Sequence, residues 1–210
     1  MALTRTYGEL RLSGDGGAWV LDRIEPHVSI RLKQLFPRIP KGGVPPYSVP
    51  NTHILCADLD WFTSRYPLAM SEDDRQALSG GRLLFEQRQA EMERILLPDY
   101  RPPAVVGIRP GQSLRHYQSQ AVEILRRRGS LLLGDEGGLG KTYTAAAFLC
   151  AEPGALPAAV VCDAHMQKQW REKIEAFTTL RLHVIKKGRP YDLPPGDVYV
   201  FRISKIYGWS

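Results

Sequence analysis

The chain has 210 residues, 43% hydrophobic and 24% charged, with a net charge of +6. These proportions are ordinary for a globular protein and exclude global disorder or a fibrous chain. No stretch reaches the roughly 18 apolar residues of a membrane span, and the N-terminal run MALTRTYGELRLSGDGG lacks the apolar core of a secretory signal.

In chain order, YGELRLSGDGGAWVLDRI reads as two strands around a Ser-Gly-Asp-Gly-Gly turn. HVSIRL alternates and reads as a third strand. The Pro/Gly-rich stretch 37–50 reads as a loop. Helical patterns follow near 55–66 and over 71–97, with a break expected at Gly80-Gly81. Ser71 and Asp74 fit a capping box, in which a hydroxyl takes an orphan helix N–H and the acid reaches back. These elements predict a small α+β module over 1–110. Residues 97–113 read as a linker, with the domain boundary at 110.

From Ser113, read as a helix cap, Leu114, Tyr117, Ala121, Ile124 and Leu125 fall on one helix face that stops at Gly129. SLLLGD (130–135) reads as a buried strand, 141–150 as an Ala-rich helix and AAVVC as a strand. A helix is expected over 167–177, with Trp170, Ile174 and Phe177 inward. RLHVI and VYVFRI read as strands around a loop at 188–197. Strands alternating with helices predict a parallel α/β sheet over 111–210. The charge is uneven: residues 1–110 carry 14 Lys and Arg against 13 Asp and Glu, residues 111–210 carry 14 against 9. A basic second half points to an anionic partner. Cys56, Cys150 and Cys162 are too widely spaced for a disulfide framework or a zinc knuckle and read as reduced thiols.

The most informative stretch is LLLGDEGGLGKTYTAAAFLC (131–150). Gly137, Gly138 and Gly140 lack Cβ atoms, so backbone N–H groups can curl around a phosphate. A helix starting near Lys141 aims its N-terminal N–H groups and dipole at the anion. Lys141 would neutralise the β/γ-phosphate charge, and the Thr142 hydroxyl would ligate Mg²⁺. The strict G-x-x-x-x-G-K-T spacing is not met, because Asp135 stands at the first-glycine position. Asp135 and Glu136 are not read as catalytic, since adjacent carboxylates rarely converge on one bond and repel triphosphate.

DEGGLGKT resembles the first motif of Swi/Snf-type ATPases of helicase superfamily 2, the DEAD/DEAH-box-like motors, in which an Asp-Glu pair replaces the first glycine. Family members usually carry Met where Gly137 stands. LRHYQSQAVEIL (114–125) resembles the helix ahead of that loop, where a Tyr-Gln pair frames the adenine; this implies Tyr117 and Gln118. AAVVCDAHMQKQWREKIEAF (158–177) is similar to the strand and helix of motif Ia, which contacts DNA phosphates and implies His165, Gln167, Lys168 and Gln169. The family's Pro-Thr pair is replaced by Asp163-Ala164. VYVFRISKIYGWS resembles motif Ib, with Ser204 as a phosphate-holding hydroxyl. The pattern around 61–87 distantly resembles the HARP module of annealing helicases.

The resemblance implies a partial RecA-like P-loop sheet, ATP and Mg²⁺ as ligands, and double-stranded DNA, with branched or single-stranded DNA as further forms. It implies a cytoplasmic, nucleoid-associated protein, bacterial or phage-encoded, with no membrane partner. It also implies an N-terminal fragment that ends before the Asp-Glu strand and the second lobe, inactive alone, with SLLLGD short of a neighbour. Two other readings stay open: a different P-loop enzyme, such as a kinase or GTPase, and a non-catalytic nucleic-acid-binding protein with a degenerate nucleotide site.

Overall fold

The computed structural model describes residues 5–209. Residues 1–4, part of the stretch read as lacking a secretory signal, and Ser210 lie outside them. The chain divides into two compact units, 1–91 and 92–210. Both mix helices with a three-stranded sheet, antiparallel in the first and parallel in the second. No helix of the described residues is long and apolar enough to cross a membrane.

In the first unit, β1 (Glu9–Leu12) and β2 (Ala18–Asp22) form a hairpin, and β3 (Tyr47–Pro50) adds to the far side of β2. The stretch read as a loop therefore ends in an edge strand. An edge strand tolerates Pro50 because an outward backbone position needs no N–H. Leu10, Trp19, Leu21 and Val49 are fully buried on one sheet face. The Trp19 indole donates to Asn51 Oδ1 at 2.9 Å, so its polar edge is satisfied inside the core.

The alternation in HVSIRL is overruled. Residues Pro26–Leu35 form helix α1, with proline in the first turn, where a missing N–H costs nothing. Helical spacing buries Val28 and Leu32, while Ile30, which a strand would place with them, is 59% exposed. Ser29 Oγ and Tyr47 Oη share a hydrogen bond of 2.5 Å that joins this helix to β3.

Helix α2 (His53–Arg65) starts at Thr52, whose hydroxyl accepts from Leu55 N. Helix α3 (Glu72–Ile95) runs unbroken through Gly80-Gly81. Packing supplies the reason: a Cβ at Gly81 would collide with Cys56 Sγ and Cβ on α2, so the glycine permits close helix contact. Gly80 has open space around it. At the start of α3, Ser71 Oγ accepts from Asp74 N at 3.1 Å and donates to Asp74 Oδ2 at 2.6 Å. Asp74 Oδ1 accepts from Leu12 N at 2.8 Å, which ties the cap to β1.

The second unit holds α4 (His116–Arg128), α5 (Lys141–Ala151), β4 (Ala158–Cys162), α6 (Met166–Phe177), β5 (Leu182–Val184) and β6 (Val198–Arg202), then a 3-10 segment Ile203–Trp209. The parallel order is β4-β6-β5. Val198 and Val200 are fully buried on the face that packs with Ile174 and Phe177 of α6 and Ala146 and Ala147 of α5. The unit boundary falls at 91/92 rather than 110, because the segment read as a linker is a strap on this unit. Arg109 N donates to Phe177 O, Thr179 N donates to Gly107 O, and Gln120 Nε2 donates to Ile95 O at 2.7 Å and Leu97 O at 3.1 Å.

SLLLGD is not a strand. The leucine run finds no partner among the described strands, and Leu132 is 94% exposed. An apolar run without a ladder neighbour gains nothing from extended pairing.

Two measurements check this account of the first unit. Gly80→Ala raises stability by about 1 kcal/mol, the helix-interior cost of glycine, while Gly81→Ala lowers it; denaturant unfolding reads both. The Ser71 hydroxyl and Leu12 N–H hold the Asp74 carboxyl below its usual range, so the unfolded chain binds its proton first on acidification. Asp74 therefore contributes stability above about pH 4, near the unfolded carboxyl value, and loses it as pH falls through the lower native pKa. Asp74→Ala costs about 1 kcal/mol at neutral pH and makes stability less steep with pH on the acid side.

Candidate phosphate-binding site

The loop 134–140 opens α5, whose cap residue Gly140 sits at φ +82° with no side-chain cap bond. Gly138 is also left-handed, at φ +88°. Only glycine adopts these angles without strain. The turn therefore exposes an uncapped helix N-terminus, where the first N–H groups lack intrahelical acceptors. Lys141 Nζ donates to the carbonyls of Asp135 at 2.6 Å and Glu136 at 3.0 Å, so the loop curls over the ammonium. Thr142 is half-buried in the first turn, and Gly137 is exposed. Glycines, lysine and threonine thus meet at one helix start, with the donor chemistry an anion requires.

Helix α4 fixes the loop from behind. Tyr117 Oη donates to Leu139 O at 2.8 Å, and Gln118 Nε2 donates to the same carbonyl at 3.1 Å. Gln118 Oε1 accepts from Arg115 N at 2.9 Å, which caps α4 at Arg115 rather than at Ser113. A Cβ on Gly140 would strike the Gln118 amide. Gln118 is 5% exposed, and its amide is engaged on both sides as a brace, away from the base-edge role implied by the resemblance. Tyr117 is 36% exposed and keeps part of its ring open.

The residues expected to meet DNA do not form one group. Gln167 is 5% exposed: its Nε2 donates to Val200 O at 3.1 Å and its Oε1 accepts from Arg202 Nε at 2.7 Å. It supports the sheet from inside, with its amide engaged by Val200 and Arg202 instead of facing the DNA phosphates that the resemblance implied. Lys168 is exposed and pairs with Glu172 at 3.7 Å across one helical turn. His165 and Gln169 are exposed near the start of α6, and Ser204 is exposed after β6. Trp170 packs half-buried against the core.

Sequence reasoning passed over Glu123. It is 2% exposed, yet charged groups surround it: Arg127 Nε at 2.9 Å and Arg126 Nη1 at 3.3 Å. Arg126 also meets Glu152 at 3.7 Å. The signal was the E-x-x-R-R spacing, since positions i+3 and i+4 share a helix face. A cavity of about 260 Å³ lies beside this cluster, lined also by Val105, Val122 and Cys150. Burial pushes the Cys150 thiol pKa up, so the sulfur there is protonated and poorly nucleophilic. The described residues hold no group of three or more His, Cys, Asp or Glu side chains able to bind a metal ion.

No family model matches the chain. Among curated proteins, it is 33% identical over 109 residues to "Protein suppressor of underreplication" of Drosophila erecta. The alignment takes in 49% of this chain and 11% of that protein, so the chain spans a small part of the curated relative it matches.

The brace carries its own test. Gln118→Ala strips hydrogen-bond partners from Arg115 N–H and Leu139 C=O and costs about 1–3 kcal/mol, read by thermal or denaturant unfolding. Gln118→Glu keeps the acceptor but loses the donor. It recovers the α4 cap while leaving Leu139 with Tyr117 alone, which hydrogen exchange in α4 and the loop reports separately.

Proposed function

We propose that the second unit is a nucleotide-binding module of the P-loop type, part of a RecA-like lobe of a Swi/Snf-type, ATP-driven DNA translocase or helicase. The observation that carries the reading is the loop at α5. Two left-handed glycines, an uncapped helix start and the Lys141 ammonium converge where a triphosphate would sit. Lys141 exchanges the Asp135 and Glu136 carbonyls for β/γ-phosphate oxygens, a stronger, charge-assisted pairing. The N–H groups of Gly138 to Thr142 supply the remaining cradle. Thr142 would hold Mg²⁺ through its hydroxyl, and the metal would neutralise charge on the same phosphates. The exposed part of the Tyr117 ring offers a face for the adenine.

Three further observations favour a DNA-directed motor over another P-loop enzyme. The net positive charge lies almost wholly in the second half of the chain. The parallel sheet brings the segments after β4 and β6, with His165, Lys168 and Ser204 near them, to the carboxyl ends of strands. Ligands of open α/β sheets bind at such ends. The relative is named for underreplication, in keeping with a DNA partner.

The test is nucleotide binding by the chain itself, read with a fluorescent ATP analogue in Mg²⁺. Lys141→Ala weakens binding about tenfold to a hundredfold, the worth of one charge-assisted hydrogen-bonded contact, without lowering the unfolding temperature. Equal affinity for both proteins overturns the assignment.

A further inference from the structure

The first unit holds an open groove at the start of α2, remote in sequence from the phosphate loop. Its volume is about 660 Å³, and its lining includes Arg38, His53, Ile54, Leu55 and Leu84. The elements around it are anchored. Asn51, also in the lining, accepts from Trp19 Nε1 at 2.9 Å and donates through Nδ2 to Gly16 O at 2.9 Å. Arg38 stands in a tight turn in which Ile39 N donates to Phe36 O, and both Phe36 and Ile39 are buried. The fit of Gly81 against Cys56 sets how closely α3 approaches α2. A groove between such anchors is formed in advance, so an occupant need not order it first.

The lining joins two chemistries. One is aliphatic: Ile54 is 51% exposed and Leu84 42%, with Leu55 half-buried against the core. The other is cationic. Arg38 is exposed, and so is Arg88, one helical turn beyond Leu84 on α3. Arg88 Nη1 lies 3.3 and 3.4 Å from the two ring nitrogens of His53. Burial and that guanidinium hold the His53 pKa below its usual value, so the ring is neutral at pH 7 and the charge there is the arginine's. Neither Arg38 nor Arg88 joins an ion pair among the described residues. Elsewhere on the same two helices, Arg82 meets Asp60 at 3.3 Å and Glu86 at 2.6 Å. The helix pair thus answers one arginine with two acids and leaves Arg88 with none.

Two unanswered guanidiniums beside an aliphatic hollow complement carboxylates set around an apolar side chain. Guanidinium and carboxylate pair through two parallel hydrogen bonds, and an apolar side chain gains by covering exposed leucine and isoleucine. A nucleic-acid strand would ask for an open ring face; the ring at this place, Phe85, lies half-buried at 6.3 Å from His53.

We propose that the groove at the start of α2 docks an acidic peptide segment of a protein partner, with Arg38 and Arg88 on its carboxylates and Ile54 and Leu84 under a bulky apolar side chain between them. Fluorescence anisotropy of the 210-residue chain with fluorescein-labelled decapeptides tests it, each peptide carrying a Leu, Phe or Trp pair flanked on both sides by Asp and Glu. At least one of them binds, and its binding weakens as salt rises. Exchanging its acids for Gln, or its apolar pair for Ala, abolishes most of the binding. Arg38→Gln/Arg88→Gln weakens it about tenfold to a hundredfold, the loss of charge-assisted hydrogen bonds, and flattens the salt dependence. Ile54→Ser/Leu84→Ser weakens it roughly tenfold, the scale of one aliphatic side chain re-covered, and leaves the salt dependence as it was.

Lys186→Gln/Arg189→Gln removes the same charge from exposed cations after β5, which join no ion pair among the described residues, and leaves peptide binding unchanged. All four groove positions substituted are exposed, and thermal unfolding checks each variant; Arg38→Gln alone, with a smaller loss in the same direction, serves where the double variant fails to fold. Binding by none of the peptides, or equal affinity in the two charge variants, overturns the groove. A dT20 strand or a 20-base-pair duplex that displaces the peptide and binds Arg38→Gln/Arg88→Gln more weakly overturns the choice of a peptide. Lys141→Ala loses ATP binding and keeps peptide binding, so failure of the nucleotide reading and failure of the groove are read apart.

Discussion

The second unit turns on a single carbonyl. Leu139 O accepts from both Tyr117 and Gln118, and through it α4 sets where the loop ends and α5 begins. The same glutamine closes the start of α4 by accepting from Arg115 N. Two residues further on, Gln120 reaches the opposite way to the backbone of Ile95 and Leu97. Helix α4 is thus a spine with amide hooks on two sides. A buried amide suits this task because it donates and accepts at once, so it satisfies two backbone groups that a leucine would leave orphaned.

Much of this was legible in the residues. The hairpin around Ser13 to Gly17, the helices on both sides of the loop, and β4, α6, β5 and β6 follow from period and from glycine and proline punctuation. The misses share one cause: local pattern cannot see the neighbour that decides it. HVSIRL alternates well enough for a strand, but Pro26 starts a helix and the core accepts only Val28 and Leu32. Gly80-Gly81 looks like a break until Cys56 is placed against the second glycine. SLLLGD looks like a buried strand until no strand pairs with it. The same blindness applies to glutamine, since nothing in the sequence separates an amide that meets a ligand from one that braces backbone. Gln118 and Gln167 both prove to be braces.

Charge on the second unit divides into two kinds. Along α6 and around Glu123, cations answer carboxylates one helical turn away, so little field remains beyond the surface. At the carboxyl edge of the sheet, cations stand with few carboxylates between them. An excess of positive charge on a whole domain is therefore a poor guide to where a polyanion lands, and the local pairing pattern is the better one.

The exposed leucine run has a consequence for whatever anion the loop takes. The loop is clamped at its far end, by the Leu139 carbonyl and the first turn of α5, while its near end enters from Leu131–Leu133 with no ladder to hold it. Closing such a half-anchored ring around a ligand spends conformational entropy on the near side. A neighbouring strand that paired with the leucines would remove that cost in advance. It would then raise the affinity of the loop without touching the ligand, so folding of the leucine run and occupancy of the loop are thermodynamically linked, each favouring the other.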